Sequence, residues 1–572
     1  MTIVLEQPER PARWRFDPSM PLLAALGLFL CILVLLPLLW LAWYSITDNS
    51  GALTASNFIK LASDPSFVSP FFTALAIAFS VAIAACAVAT PLAWLVSRTN
   101  MPLRATIRAF VTASFVTPPF LGAIAWEILA APNSGMLNQW YRALFDLEPD
   151  EHLFDIYTVE GVTFAIACYA FPYVFVLVAN ALDRIPADLE DASAILGGRR
   201  ASTLRRVTLP LVLPALLAGA LVAFLQSLTL FGTPAILALP AGFHVITTKI
   251  WSLFQYPPNP HLAAAAALPL LLVTIVLLRG RQFLLGRRSY AVIGGKSGAP
   301  RLVALGAWRW PALGFAVAVI ALPVLLPYAA LLKTAVVRTA SDPLTWESLT
   351  FHNMRFVFLE FSQTQLALRN TFLLGILAAT AGTALALVVS YLTTRRLVIG
   401  HRALGFLATA PMAIPGIVLG VGLFLSYSRP PLVLYGTLWI LLLAFLTIEL
   451  PAGYQQLQAA ISGLHPELEE ASRIFGATRL RSLWQITAPL LRTSVVATWC
   501  FIFIGVIREL SATIMLTTAQ TKLVSVIIYD LNESGDLGAI SVLGITLLVI
   551  TFLVVVVANR LPVLGRAGPP LG

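Results

Sequence analysis

Twelve stretches of this chain are long enough to cross a hydrocarbon core and carry almost no charge. A spanning helix needs roughly 20 apolar residues. The stretches are 21–47, 70–97, 109–131, 161–182, 211–239 and 261–278, then 310–332, 370–394, 403–428, 431–455, 494–518 and 537–559. Inside a bilayer the backbone has no water to bond, so each run closes its own hydrogen bonds as a helix. The expected fold is an all-α integral membrane protein with about twelve transmembrane helices. Only 11% of the residues are charged, against about a quarter in soluble domains, which argues against a water-soluble enzyme. The first run is too long for the apolar core of a signal peptide and is expected to stay as an anchor.

Cationic residues set the orientation of such a chain. Of the 37 Lys and Arg residues, 27 fall in the two tails and in every second connection. This bias predicts a multi-pass membrane protein with both termini cytoplasmic. The net charge of +10 then reflects these loops and implies no nucleic-acid partner. The four cysteines all lie inside apolar runs with no CxxC spacing, and the six histidines are scattered. Neither a disulfide framework nor a metal centre is indicated.

The chain also repeats itself. Residues 189–211 read LEDASAILGGRRASTLRRVTLPL and residues 468–490 read LEEASRIFGATRLRSLWQITAPL, identical at 11 of 23 positions without a gap. The same offset of 279 maps Pro172 onto Pro451. A duplication follows: a tail at 1–20, a first six-helix repeat at 21–278, a basic linker at 279–309, a second repeat at 310–560 and a tail at 561–572. The repeated segment lies in a connection on the cytoplasmic side, where a patterned loop points to a partner. Glu190 and Glu469 sit near the start of an expected helix, where an acid suits the dipole. Gly197 and Gly476 permit a tight turn into a second short helix expected to end at Pro210 and Pro489.

The pattern E-x-A-x-x-x-x-G followed by L-P or A-P resembles the EAA loop of ABC importer permeases. It occurs twice, with Asp191 and Glu470 in place of the usual Ala. The six-plus-six plan resembles a fused type I (MetI-like) permease over essentially the whole chain, with two repeats related by pseudo-two-fold symmetry. The resemblance implies an ATPase homodimer docked on Glu190, Asp191, Ala192 and Gly197 and on Glu469, Glu470, Ala471 and Gly476. It implies ATP and Mg bound by that partner, no cofactor and no catalysis in this chain. A periplasmic or surface-tethered binding protein would deliver cargo to outer loops such as 333–369 and 518–536. A phosphate-binding loop needs G-x-x-x-x-G-K-[ST]; Gly295-Lys296-Ser297 imitates its end, but Tyr290 occupies the first Gly position.

Four charges fall within the twelve runs: Glu127, Glu449, Arg508 and Glu509. Such residues usually face a bundle interior or a water-filled path. Under the repeat offset, Arg508 and Glu509 replace Thr229 and Leu230, so the halves differ here. Thr229, Phe231, Gly232, Glu449, Arg508 and Glu509 are the expected path residues, with Arg508 either touching cargo or bridging helices. Residues 231–251 and 508–531 resemble ferric-iron (Fbp-type) importers. Iron(III) favours oxygen ligands, which Glu449 and Glu509 would offer transiently. Relatives within that resemblance take phosphonates, sugar phosphates, thiamine or polyamines, and for an anion Arg508 would be the attractive group. A rival reading of another class is an ion-coupled secondary transporter, which also builds on six-helix repeats.

Overall fold

The computed structural model describes residues 19–186, 189, 192–193, 195–197, 200–286 and 302–564. Among these, nine helices are long and apolar enough to cross a membrane: Ala24–Ser45, Pro65–Arg98, Val159–Asp183, Leu204–Thr229, Pro260–Gly280, Gly306–Val336, Ser362–Thr394, Leu438–Ser462 and Leu537–Val557. Three further spans are bent pairs: Arg104–Val116 with Pro119–Ala130, His401–Ala413 with Gly416–Tyr427, and Leu483–Leu490 with Arg492–Arg508. Counted so, there are twelve spans, six in each half.

The bends have local causes. The third span turns by 101° and the ninth by 109°. Thr117-Pro118-Pro119 stands at the first break and Ile414-Pro415-Gly416 at the second. Proline lacks the N–H that would continue the ladder and its ring strikes the carbonyl four residues back. In the sequence both runs read as continuous because the apolar residues on either side of the prolines keep the whole stretch apolar.

Pro210 and Pro327 are absorbed without a break, whereas the eleventh span turns by 75° between Leu490 and Arg492, just after Pro489. Widened π-turns at Leu204–Thr208, Ala321–Leu325 and Leu483–Thr487 come just before Pro210, Pro327 and Pro489. A π-turn shifts the bonding register and so accommodates a residue that cannot donate. This corrects the expected helix stop at Pro210, which instead lies in the first turn of Leu209–Thr229.

Four other boundaries move. The fifth span ends at Thr229, and the apolar run beyond it forms a separate short helix, Gly232–Leu237. The eleventh ends at Arg508, with Glu509 extended (φ −77°, ψ 120°) and a short helix at Thr513–Leu516 beyond. The tenth starts at Leu438. The sixth helix also continues to Gly286, past the expected start of the linker at 279. Helix Met136–Phe145 is inserted between the third and fourth spans of the first half, whereas the second half passes from Tyr427 to Leu438 without a helix.

Candidate functional site: two coupling knobs and a central path

At one end of the bundle the two copies of the repeated loop adopt the same device. In the second, helix Glu467–Ile474 runs into Gly476, whose φ of +86° only glycine takes readily. In the first, Gly197 has φ +78°; Glu190 and Asp191 lie outside the described residues. A hydroxyl pair staples each turn to the following helix: Ser193 to Thr203 at 2.8 Å and, at corresponding positions, Ser482 to Ser472 at 3.1 Å. Ala192, Ala471 and Glu470 are exposed.

The apolar residues just before each glycine were not foreseen. Ile195 is 85% and Leu196 87% exposed; Ile474 is 83% and Phe475 91% exposed. Two adjacent large apolar side chains thus stand exposed on a polar loop tip in both halves, a feature of the kind that marks interaction sites. The sequence signal was present: an apolar pair immediately before Gly in both copies.

Glu469 behaves otherwise. Its side chain is 12% exposed and pairs with Arg395 at 3.0 Å. Oε1 accepts from Arg395 Nε (3.1 Å) and Nη2 (3.0 Å) and from the Thr487 hydroxyl (3.1 Å). Oε2 accepts from the Tyr391 hydroxyl at 3.0 Å. The acid expected on the docking surface is therefore held inside the loop.

The central path forms around the helix breaks. The 3₁₀ turn Ser114–Val116 precedes the first break, and carbonyls at a helix end lack intrahelical donors. Arg508, from the other half, donates Nη1 to the Phe115 carbonyl. At the corresponding place Thr229 bonds only within its own helix, to Leu225 O at 2.9 Å. Glu509 Oε1 accepts from the Ala512 N–H at 2.8 Å, so the carboxylate fixes the turn that leads into the short helix. Arg508 is the last residue of its helix and Glu509 has already left it, so the two side chains take separate partners. Glu449 lies against Gly505, where an added Cβ would come within 2.2 Å of its carboxylate; its charged neighbours are Arg508 and Glu509. Phe231 and Gly232 are buried, Gly232 packed so closely on Phe120 and Leu510 that a Cβ would lie 2.7 Å and 3.2 Å away. In this conformation they are packing contacts rather than an open lining.

Past the breaks, away from the knobs, the halves close on each other. Tyr529 meets Phe231 and Trp251 with ring centroids 6.3 Å and 5.9 Å apart. Glu127 accepts from Tyr157 and, across the halves, from Asn532, both at 2.9 Å. Among the described residues no cluster of three or more His, Cys, Asp or Glu could hold a metal.

Two six-span halves, each with an apolar-tipped knob at the same end and a broken third helix at the centre, define a duplicated membrane transport permease. The chain belongs to the family of binding-protein-dependent transport system inner membrane components, whose model matches residues 89–289 and 372–562. It is similar to the ferric transport system permease protein FbpB of Actinobacillus pleuropneumoniae, 25% identical over 78% of this chain. The matched stretch is 64% of that protein's own length. It is also similar to the Fe(3+)-transport system permease protein FbpB 2 of Haemophilus influenzae, 23% identical over 93% of this chain and 95% of that one. The sulfate transport system permease protein CysT of Salmonella typhimurium is 28% identical over 46% of this chain and 91% of its own.

Proposed function

We propose that this chain is the translocating subunit of an ATP-driven, binding-protein-dependent importer, with ferric iron as its cargo. The observation that carries the permease role is the doubled knob: Ile195–Leu196 before Gly197 and Ile474–Phe475 before Gly476, each exposed at the same end of its half. Two copies of one ATPase subunit would seat on these two points and bind the ATP and Mg that drive the cycle. The chain itself performs no covalent chemistry. A binding protein would present cargo at the opposite end, where Trp251, Tyr529, Glu127 and Asn532 close the halves.

Iron as cargo is supported by the relatives that carry ferric transport in their names and by the path's donors. Glu449 and Glu509 present carboxylate oxygens, which suit a hard cation. Arg508 spends Nη1 on the Phe115 carbonyl, which leaves it less free to hold an anion. The sulfate relative keeps an anionic cargo as the second reading. Uptake by the chain reconstituted with its ATPase and binding protein decides between them: iron taken up with ATP supports the first, an oxyanion without iron the second.

A further inference from the structure

We propose that Arg395 is a positioning residue that locks the second coupling loop to the bundle through Glu469, and that Arg98 plays the same part in the first half. The inference rests on the permease reading for its consequence in transport, but its geometry stands on this chain alone. Arg395 is the residue that ends helix Ser362–Thr394, and its guanidinium reaches both the Glu469 carboxylate and the Leu464 carbonyl, at 3.0 and 3.1 Å. Planar guanidinium donors in a fixed fork make this a directional clamp rather than a loose charge pair. With Thr487 and Tyr391 also donating, four donor atoms occupy the two oxygens of Glu469. A cationic group of the ATPase would have to displace them to reach it. The exposed tip at Ile474 and Phe475 offers contact without that exchange.

The first half repeats the arginine–carbonyl part of the arrangement, Glu190 lying outside the described residues. Arg98 ends helix Pro65–Arg98, is 1% exposed, and donates Nη2 to the Ile185 carbonyl at 3.0 Å. Ile185 and Leu464 correspond under the repeat, as do Thr208 and Thr487, both buried. A guanidinium placed twice at the same helix end, on the same loop carbonyl, is a shared device rather than a chance contact. Helix Ser362–Thr394 in turn packs along Leu438–Ser462 and Arg492–Arg508, the helices bearing Glu449 and Arg508. The clamp thus joins the loop that an ATPase moves to the helices that line the path.

The test uses the full chain in lipid nanodiscs with Arg395→Gln, Glu469→Gln and the double variant. Amide hydrogen exchange across 464–482, without any ATPase, reads the clamp directly. Each single change should speed exchange there on the order of tenfold, and the double should add little, because one interaction is lost in all three. The reconstituted system should then show Arg395→Gln reducing transport-stimulated ATP hydrolysis on the order of tenfold. The swap Arg395→Glu with Glu469→Arg should recover part of that loss, and Arg395→Lys, which keeps the charge and serves if Arg395→Gln folds poorly, should lie between. Wild-type exchange and coupling in Arg395→Gln would overturn the proposal. So would loss of coupling in Glu469→Gln alone, which would assign that acid to the ATPase. Absence of any ATPase association with the wild-type chain would instead defeat the permease reading and leave the exchange result standing.

Discussion

Trp251 and Tyr529, the sixth residues of helices Ile246–Ser252 and Val524–Glu533, hold corresponding places in the two halves and meet edge to face, ring centroids 5.9 Å apart. The pseudo-two-fold axis therefore passes between them. The flanking contacts obey the same symmetry with different chemistry: Asn532 donates to Glu127 at 2.9 Å, while Phe254 packs edge-on to Phe424 at 5.4 Å. One flank is polar and the other aromatic, so the closure is symmetric in shape but not in its donors.

Because this contact joins the halves, a double-mutant cycle on Trp251→Ala and Tyr529→Ala should show coupling. An aromatic pair contributes about 0.5–1.5 kcal/mol beyond its buried area. Detergent-unfolding midpoints of the wild type, both singles and the double measure it, and strict additivity would contradict the contact.

Gly505 admits the Glu449 carboxylate, whose atoms would lie 2.2–2.6 Å from an added Cβ. Gly505→Ala should therefore destabilise the bundle by about 1–3 kcal/mol, the range for overpacking. Adding Glu449→Ala should restore most of that stability. Thermal unfolding of the purified variants checks both statements.

The knob tips are open to solvent, so changing them should leave the fold intact. Surface substitutions of this kind shift stability by less than about 0.5 kcal/mol. Phe475→Ser with Leu196→Ser should nonetheless weaken ATPase binding by about 2 kcal/mol or more, as loss of an exposed aromatic anchor does. Co-purification with the ATPase, set beside an unchanged melting temperature, reads the two effects apart.

Arg508 satisfies the Phe115 carbonyl across the halves. A hydrogen bond to a charged group contributes about 1.5–3 kcal/mol, so Arg508→Met should lower stability by that order. Its effect on uptake separates the two cargo readings. Cation uptake should persist at reduced yield of folded protein, whereas an anion held by Arg508 would no longer be carried.

The spans and the duplication were legible because hydropathy reports burial in lipid, and a gap-free 23-residue repeat is direct. The breaks were not. Pro118 and Pro415 sit in apolar runs that continue on both sides, as do Leu230 and Leu510 past the true helix ends at Thr229 and Arg508. Apolar composition does not distinguish a straight helix from one that stops and turns inside the membrane. Helix Met136–Phe145 went unread because its short amphipathic pattern lies between two stronger apolar runs. At the knobs the motif drew attention to Glu469, yet an acid near a helix start reads the same whether it faces solvent or a buried arginine. Only the return of Arg395, some seventy residues earlier in the chain, shows that it faces inward.

The most direct test of the account is ATP-dependent uptake into vesicles holding the chain, its ATPase and its binding protein, with ferric iron offered beside sulfate, phosphonates, sugar phosphates, thiamine and polyamines. The account predicts iron accumulation that requires ATP and the binding protein and that falls in Glu449→Gln and Glu509→Gln. ATP-dependent uptake of an anion without iron would contradict the cargo, and iron uptake that proceeds without ATP or its ATPase would contradict the permease mechanism itself.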